Sequence, residues 1–265
     1  MIFERLAEAI RTETPVALAT RLDGGHAGAK LLVDEVRALG DLGSPGLNDA
    51  VEAEGRSLLA LGEHDLRTFG PNGEPMPHGG EARVFVQSFA PKPDMFLFGA
   101  IDFSRAMARV GKHMGYRVTV VDARAIFATK ERIPDADRVV VAWPDEFLTS
   151  AHVTDRTAII VLTHDEKFDV PLLLRALGTN AAYIGAMGSR RTHASRIEAL
   201  LRAGISEREL ERINAPIGLD IGARTPEETA ISIAAEIVAV RSGRSGGRLR
   251  DGSQPIHAPP RNVPA

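Results

Sequence analysis

Short apolar runs alternate with amphipathic stretches between residues 95 and 186. The runs read MFLFG, YRVTVVD, RVVVAW, TAIIVLTHD and AAYIGA, and their central positions are nearly all apolar. Strands of this composition are buried on both faces, which is typical of a parallel sheet whose crossovers are helices. The pattern therefore predicts an α/β fold with a Rossmann-like, doubly wound parallel sheet.

The preceding residues, 1–90, have a mixed pattern. Apolar side chains recur four residues apart at Ile2, Leu6 and Ile10, which predicts an opening helix. The stretches VALAT, AKLLV and ARVFVQSFA predict strands, and DAVEAEGRSLLALG predicts a helix that ends at Gly62. We therefore expect a smaller N-terminal domain of mixed α/β type.

A short proline-bearing segment, APKPD, joins the two regions at Ala90 to Asp94. We expect it to separate an N-terminal domain over residues 1–90 from a Rossmann-like domain over residues 91–243. Residues 244–265 show no apolar periodicity and are predicted to form a disordered tail.

The last helix of the second domain has a clear start signal. In the segment TPEE, Thr225 and Glu228 fit a capping box, and the proline between them suits the first turn of a helix. Ile231, Ala234 and Val238 are predicted to form the face that packs on the sheet.

Composition and charge narrow the class of protein. A net charge of -3 gives no electrostatic basis for binding nucleic acid or an anionic membrane. No apolar run approaches the roughly 20 residues of a membrane span, and the first residues do not resemble a signal peptide. The chain has no cysteine, which excludes disulfides, thiolate metal sites and cysteine nucleophiles. We expect a cytoplasmic protein with no nucleic-acid or membrane partner.

The segment from Met95 to Arg124 has the strand, glycine turn, helix and strand order of a dinucleotide-binding unit. Gly99 ends the first strand, and the following helix would direct free N–H groups toward an anion. The second and third glycines of the usual turn are absent, because Ala100 and Ile101 follow Gly99 directly. The segment is thus either a variant nucleotide site or a tight turn without a ligand.

Two acidic residues bear on that choice. Asp102 is expected to cap the helix, and it places negative charge where a phosphate would lie. Asp122 ends the next strand roughly 20 residues after Gly99, the spacing of a carboxylate that binds ribose hydroxyls. Arg124 would accommodate a 2′-phosphate. Gly99, Ala100, Asp102, Asp122 and Arg124 are therefore the candidate nucleotide-binding residues.

A second glycine turn follows the fifth strand, in YIGAMGSRRTHASRIEALLRAG. Gly185 and Gly188 precede a helix that opens with Ser189, Arg190 and Arg191. A helix start with small residues and two guanidinium groups can hold a phosphate, although a solvated basic turn has the same sequence. The buried stripe of this helix is predicted at Ile197, Leu200 and Leu201.

A third cluster follows the fourth strand. Thr163, His164 and Asp165 fall where open α/β sheets bind ligands, outside the carboxyl ends of the strands. His164 beside Asp165 is a candidate pair for acid/base chemistry or for orienting a ligand. Trp143 ends the third strand, where it would either flank a ring system or pack in the core. The histidines show no metal-ligand spacing, so we expect no metal site.

Several stretches together resemble the XdhC/CoxI family, the accessory proteins that mature xanthine dehydrogenase and carbon monoxide dehydrogenase. They are GAIDFSRAMARVGKHMGYRVTVVDAR, RIPDADRVVVAWPDE, VLTHDEKFD, YIGAMGSRR and APIGLDIGARTPEETAISIAAEIVAVRSG, which follow the family's order over most of residues 94–243. The resemblance implies a homodimer that helps to equip a client molybdenum hydroxylase with its molybdopterin cofactor.

The N-terminal region resembles the family's first domain more loosely, through PVALATR, GAKLLVD and LLALGEHDLRTF. Where family members carry a Gly-Gly-Cys element, this chain reads GDLGSPGLND. A second family cysteine is replaced by His78, before Gly79 and Gly80. Without a thiol the chain would hold the cofactor non-covalently or recruit a separate sulfur donor.

Three functions fit these observations. The first is an accessory protein that binds molybdopterin, a nucleotide or both. The second is an NAD(P)-dependent oxidoreductase in which His164 and Asp165 transfer a proton. The third is a regulatory nucleotide-binding module, since a fold alone does not determine function.

Overall fold

The computed structural model describes residues 2–76, 79–163 and 165–253. The described chain divides between Pro91 and Lys92 into two compact units. His78, His164 and residues 254–265 of the predicted disordered tail lie outside the described residues.

The first unit is a five-stranded antiparallel sheet with two helices, in the strand order β3-β2-β1-β5-β4. The strands are β1 (Val16–Arg21), β2 (Lys30–Val33), β3 (Ala38–Gly40), β4 (His64–Phe69) and β5 (Ala82–Phe89), and the helices are α1 (Ile2–Arg11) and α2 (Pro45–Leu61). Gly62 ends α2 at a φ of 69°, as the sequence predicted. The helix starts at Pro45, before the predicted start at Asp49, and Ser44 caps it. The apolar side of α2, which includes Val51 and Leu58, packs in one core cluster with Val33 and Val84 of the sheet.

The second unit is built on six parallel strands in the order β11-β10-β9-β6-β7-β8. The strands are β6 (Asp94–Phe98), β7 (Arg117–Asp122), β8 (Arg138–Val141), β9 (Ala158–Val161), β10 (Tyr183–Ala186) and β11 (Ile213–Asn214). The helices are α3 (Asp102–His113), α4 (Pro144–Ser150), α5 (Glu166–Leu177), α6 (Arg190–Arg202), α7 (Glu207–Leu210) and α8 (Pro226–Ser242). The chain leaves β6 in one direction and returns to β9 on its other side, so the Rossmann-like fold is confirmed, with a switch point between β6 and β9. The apolar pattern missed β11, which has two residues.

Helices cover both faces of the parallel sheet. Alternate residues of β6 enter different cores: Met95 and Leu97 pack with the buried sides of α3 and α8, whereas Phe96 and Phe98 pack with those of α5 and α6. This arrangement leaves the carboxyl edge of the sheet to be covered by turns. No helix among the described residues combines the length and the apolar content that a membrane span requires.

The start of α8 follows the prediction, but its buried face does not. The Thr225 hydroxyl accepts a hydrogen bond from Glu228 N at 3.2 Å, and the Glu228 carboxylate accepts one from Thr225 N at 3.1 Å. However, Ile231 is 56% exposed, and the residues that enter the core are others. Those buried residues are Ala230, Ile233 and Ile237, whereas Val238 is exposed and Ala234 is partly buried. Apolar residues surround α8 almost completely, so periodicity alone does not select a face.

The predicted stripe of α6 is also corrected at one position. Leu200 is fully buried and Ile197 packs beside it, as expected, but Leu201 is 41% exposed.

We expect Ile233→Ala to lower the free energy of unfolding by about 2–5 kcal/mol, because it opens a cavity between α8 and the sheet. The matched change Ile231→Ala removes the same atoms from an exposed position and should change it by less than about 0.5 kcal/mol. Urea denaturation of both variants measures the difference. Equal losses in the two variants would contradict the observation that Ile233 is on the buried face of α8 and Ile231 on the exposed face.

Candidate ligand-binding site

The Gly99 turn brings the ends of β6 and β9 close together. Gly99 has a φ of 104°, and a Cβ there would lie 2.7 Å from Cγ2 of Thr163. Both facts require glycine, since other residues rarely adopt this φ and the space is filled. The Ser104 hydroxyl donates a hydrogen bond to the Gly99 carbonyl and closes the turn.

Asp122 organises the same turn. Its Oδ2 accepts from Ala100 N at 2.8 Å and Arg124 Nη2 at 2.7 Å, and its Oδ1 accepts from Arg124 N and Nε, both at 2.9 Å. A carboxylate has about four lone-pair sites, and these four donors occupy them. A ribose hydroxyl could bond to Asp122 only by displacing one of them. Arg124 is half exposed and is the donor that can move.

The environment of Asp122 also sets its protonation. The side chain is 5% exposed, and this burial alone would raise its pKa. The hydrogen bonds from Arg124 and from the backbone N–H groups of Ala100 and Arg124 outweigh burial, so the pKa of Asp122 lies below its usual value. The carboxylate is therefore ionised at neutral pH.

Asp102 does not cap α3, contrary to the expectation from sequence. The cap position is Ile101, which makes no side-chain hydrogen bond, and Asp102 is the first helical residue and is exposed. The helix dipole favours the Asp102 carboxylate at this end, and the carboxylate repels a phosphate there. The turn at Gly99 thus presents a poor phosphate site.

A cleft opens between the carboxyl ends of β6, β7 and β9. Its volume is about 200 Å³, less than the roughly 300–1,000 Å³ of sites for drug-sized ligands, so it would hold only part of a larger ligand. Ile101, Ala123, Leu162 and Phe168 supply apolar walls, while Arg124 and Asp165 are polar groups on its lining. A mostly apolar wall with few polar groups suits a ring system.

An aromatic pair stands at the rim of this cleft. Trp143 stacks on Phe168 with ring centroids 5.2 Å apart and an interplanar angle of 30°. Lys167 Nζ lies 5.5 Å from the centroid of each ring, close enough for a cation–π contact. Trp143 is 43% exposed, so of its two predicted roles core packing is excluded.

The Thr163–His164–Asp165 cluster is only partly described, because His164 lies outside the described residues. Asp165 is exposed and caps α5, where its Oδ1 accepts a hydrogen bond from Lys167 N at 3.1 Å. The Thr163 hydroxyl donates to the carboxylate of Asp169. Both residues line the cleft, and each already makes a hydrogen bond within the protein.

Asp169 belongs to a buried ion pair that joins α5 to α6. Its Oδ2 lies 2.6 Å from Arg196 Nη2, and the two side chains are 0% and 1% exposed. The same Nη2 donates to the carbonyl of Met187 at 3.1 Å, just after β10. The pair thus connects the ends of β9 and β10.

Sequence reasoning missed this pair, although a signal was present. Asp169 lies three and four residues before the buried Leu172 and Leu173, and Arg196 lies four residues before Leu200. Each charge therefore sits on the apolar stripe of its helix, where an unpaired charge would be costly. Opposite charges at such positions indicate a buried partner.

The second glycine turn, Gly188 to Arg190, opens α6. The Ser189 hydroxyl caps the helix by accepting from Thr192 N at 3.1 Å, and Arg190 is exposed in the first turn. Gly185 lies within β10, where a Cβ would fall 2.5 Å from Ile217 Cδ1. The structure thus places Gly188, Ser189 and Arg190 together, and it places Gly185 in the sheet as a packing residue.

The fold and the cleft at its switch point define a Rossmann domain with a candidate ligand site at the carboxyl edge of the sheet. Residues 95–237 match the family model described as the XdhC Rossmann domain. The chain belongs to this family.

Curated relatives agree with this assignment. The chain is 32% identical over 167 residues to a probable xanthine dehydrogenase subunit of Bacillus subtilis (strain 168), a match that covers 63% of this chain and 48% of that protein. It is 39% identical over 92 residues to the molybdenum cofactor insertion chaperone PaoD of Escherichia coli (strain K12), covering 35% and 29%. The chain therefore spans about half, or less, of the length of these relatives.

A solved structure shows the same fold. The crystal structure of a xanthine dehydrogenase from Bacillus halodurans superimposes with a TM-score of 0.66 at 24% identity, and the match covers 91% of this chain and 66% of that chain. At this identity the likeness concerns the fold.

We expect Asp122→Ala to lower the free energy of unfolding by about 1–3 kcal/mol at neutral pH, because Ala100 N loses its buried acceptor. Asp220→Ala, the same change at an exposed position, should cost less than about 0.5 kcal/mol. The pKa of Asp122 is lower in the folded state than its ordinary value of 3.8. The carboxylate therefore contributes to the free energy of unfolding above pH 3.8, and this contribution is lost as the pH falls through the folded-state pKa. Urea denaturation from neutral to acid pH should therefore show the difference shrinking, and a difference that grows in acid would contradict this assignment.

Asp169→Ala should lower the free energy of unfolding by about 3–5 kcal/mol, because it leaves the charge of Arg196 buried without its partner. Replacing both residues with apolar side chains, in Asp169→Leu with Arg196→Met, should recover most of that loss. A double-mutant cycle in urea measures the coupling, and additive losses would show that the two groups do not interact.

Proposed function

We propose that this chain is an accessory protein in the maturation of a molybdenum hydroxylase of the xanthine dehydrogenase type. We further propose that the cleft beside Gly99 binds a flat ring system, belonging to a nucleotide or to molybdopterin. Membership of the XdhC family and the names of two relatives support the accessory role. A client hydroxylase would be the partner, and a homodimer would be the working form.

The observation that carries the ligand proposal is the cleft at the switch point. Its apolar walls, Ile101, Leu162 and Phe168, suit the faces of a ring. The rim adds the exposed Trp143 on Phe168, with Lys167 over both rings. Ring stacking of this kind contributes beyond burial alone.

An oxidoreductase function is supported less well by the same residues. Asp165, the acid that the sequence paired with His164, accepts a backbone hydrogen bond as the cap of α5. Holding a ligand requires no proton transfer.

The binding proposal is tested by filling the cleft. Ala123 lines it and Ala125 is exposed outside it, so Ala123→Phe and Ala125→Phe are matched variants. We expect the unmodified protein to bind at least one of NAD, NADP, FAD, ATP or molybdopterin in anaerobic calorimetry, and only Ala123→Phe to weaken that binding by about tenfold or more, since a phenyl ring occupies the ligand's space.

Two outcomes would count against the proposal. If the protein binds none of these ligands, the proposed ligand site is rejected. If Ala123→Phe and Ala125→Phe bind a ligand equally well, the ligand binds outside this cleft. Substrate-dependent reduction of added NAD or NADP would favour the oxidoreductase instead.

The absence of cysteine generates a further expectation. Sulfur transfer through a persulfide needs a thiolate, and this chain has no cysteine to supply one. Incubated with a cysteine desulfurase and labelled cysteine, the chain should gain no covalent sulfur, so a separate donor would sulfurate the cofactor. A stable sulfur adduct detected on this chain by mass spectrometry would refute the non-covalent holding role.

A further inference from the structure

Unpartnered buried nitrogens concentrate at the start of α6. Within the described part of the chain, four buried side-chain atoms lack a hydrogen-bond partner, and three of them are Arg196 Nε, Arg196 Nη1 and His193 Nδ1. A buried donor without an acceptor is destabilising, and more so when it is charged. Such a cluster therefore indicates that an acceptor binds there.

The geometry shows where that acceptor would lie. Arg196 Nη2 is occupied by Asp169 and Met187, which leaves the other two nitrogens of the guanidinium. A Cβ on Gly188 would fall 3.8 Å from Arg196 Nη1 and 3.2 Å from Thr192. Arg196 Nη1 thus lies directly beneath the Gly188 turn, at the end of the helix where N–H groups attract anions.

The surrounding charge favours an anion. Arg190 and Arg191 are exposed in the first turn of α6, where the helix dipole disfavours cations. Burial lowers the pKa of His193, and the neighbouring Arg196 charge lowers it further. The carboxylate of Asp169 balances one of the three guanidinium charges.

We propose that the start of α6 is a phosphate-binding subsite in which the buried guanidinium of Arg196 supplies the main contact. The Gly188 turn shifts to admit the phosphate oxygens, because Arg196 Nε and Nη1 are buried beneath it. Gly188 has a φ of 151° and no side chain, so no Cβ occupies the space between the turn and Arg196 Nη1. Arg190 then closes over the bound anion.

The position of this subsite defines a ligand class, an inference that rests on the proposed function of the Gly99 cleft. β10 is two strands from β6, with β9 between them, so the two turns are roughly 10 Å apart along the carboxyl edge. A phosphate monoester attached to a ring system can span that distance. Nucleoside monophosphates and molybdopterin share this chemistry.

The subsite is tested with inorganic phosphate on the full chain. The side-chain Nε–H signal of Arg196 is followed by ¹⁵N NMR and assigned by its loss in Arg196→Lys, or by contacts with Met187 and Thr192 if that variant does not fold. Phosphate should shift the signal saturably, and chloride at equal ionic strength should not. Arg190→Glu should weaken phosphate binding about tenfold or more, while Arg202→Glu, the same charge change in the last turn, should not.

An Arg196 signal that ignores phosphate, or equal affinity in the two glutamate variants, would overturn the subsite and leave its nitrogens to ordered water. Adenosine monophosphate and molybdopterin then distinguish the ligand sources. Each should bind more tightly than phosphate if it spans both turns, and Ala123→Phe should remove only that advantage. If the Arg196 signal responds to phosphate but neither ring-bearing ligand binds more tightly than phosphate, the phosphate subsite stands and the ring cleft is rejected. If a ring-bearing ligand binds without changing the Arg196 signal, the ring cleft stands and the phosphate subsite is rejected.

Discussion

The buried pair of Asp169 and Arg196 is the contact on which the carboxyl edge of the second sheet depends. Its charges are removed from water, so the pair contributes more to positioning than to net stability. Asp169 also accepts from the Thr163 hydroxyl, while Cγ2 of Thr163 occupies the space that makes glycine necessary at position 99. Arg196 reaches the carbonyl that follows β10. The ion pair therefore links the ends of β9 and β10, and through Thr163 it borders the turn at Gly99.

The sequence predicted those parts of the fold that local patterns determine. Apolar runs located β6 to β10, Gly62 ended α2, and Thr225 with Glu228 started α8. Features that depend on tertiary contacts were missed or misplaced. The buried face of α8 is set by packing against α3, since the helix is apolar almost all round. The two-residue β11 is too short to carry a pattern.

The site was predictable in place more than in detail. The glycine turns and strand ends correctly predicted the positions of Gly99, Thr163 and Ser189. This was possible because the carboxyl ends of parallel strands lie at the same edge of the sheet. The roles of Asp102 and Asp122 depend on tertiary contacts that residue spacing does not encode. Asp102 is the first residue of α3 and does not cap it. The carboxylate oxygens of Asp122 already accept hydrogen bonds from Arg124 and from Ala100 N. A ring site and a phosphate site at different turns fit these contacts better than one nucleotide fingerprint does.

The proposed function depends on a ligand at the carboxyl edge of the sheet whose ring carries a phosphate. Native mass spectrometry of protein purified under anaerobic conditions, with identification of the released small molecule, tests it most directly. We expect a non-covalent complex whose ligand contains both a ring system and a phosphate ester. Protein that carries no ligand, and that remains ligand-free after incubation with nucleotides and with molybdopterin, would contradict it.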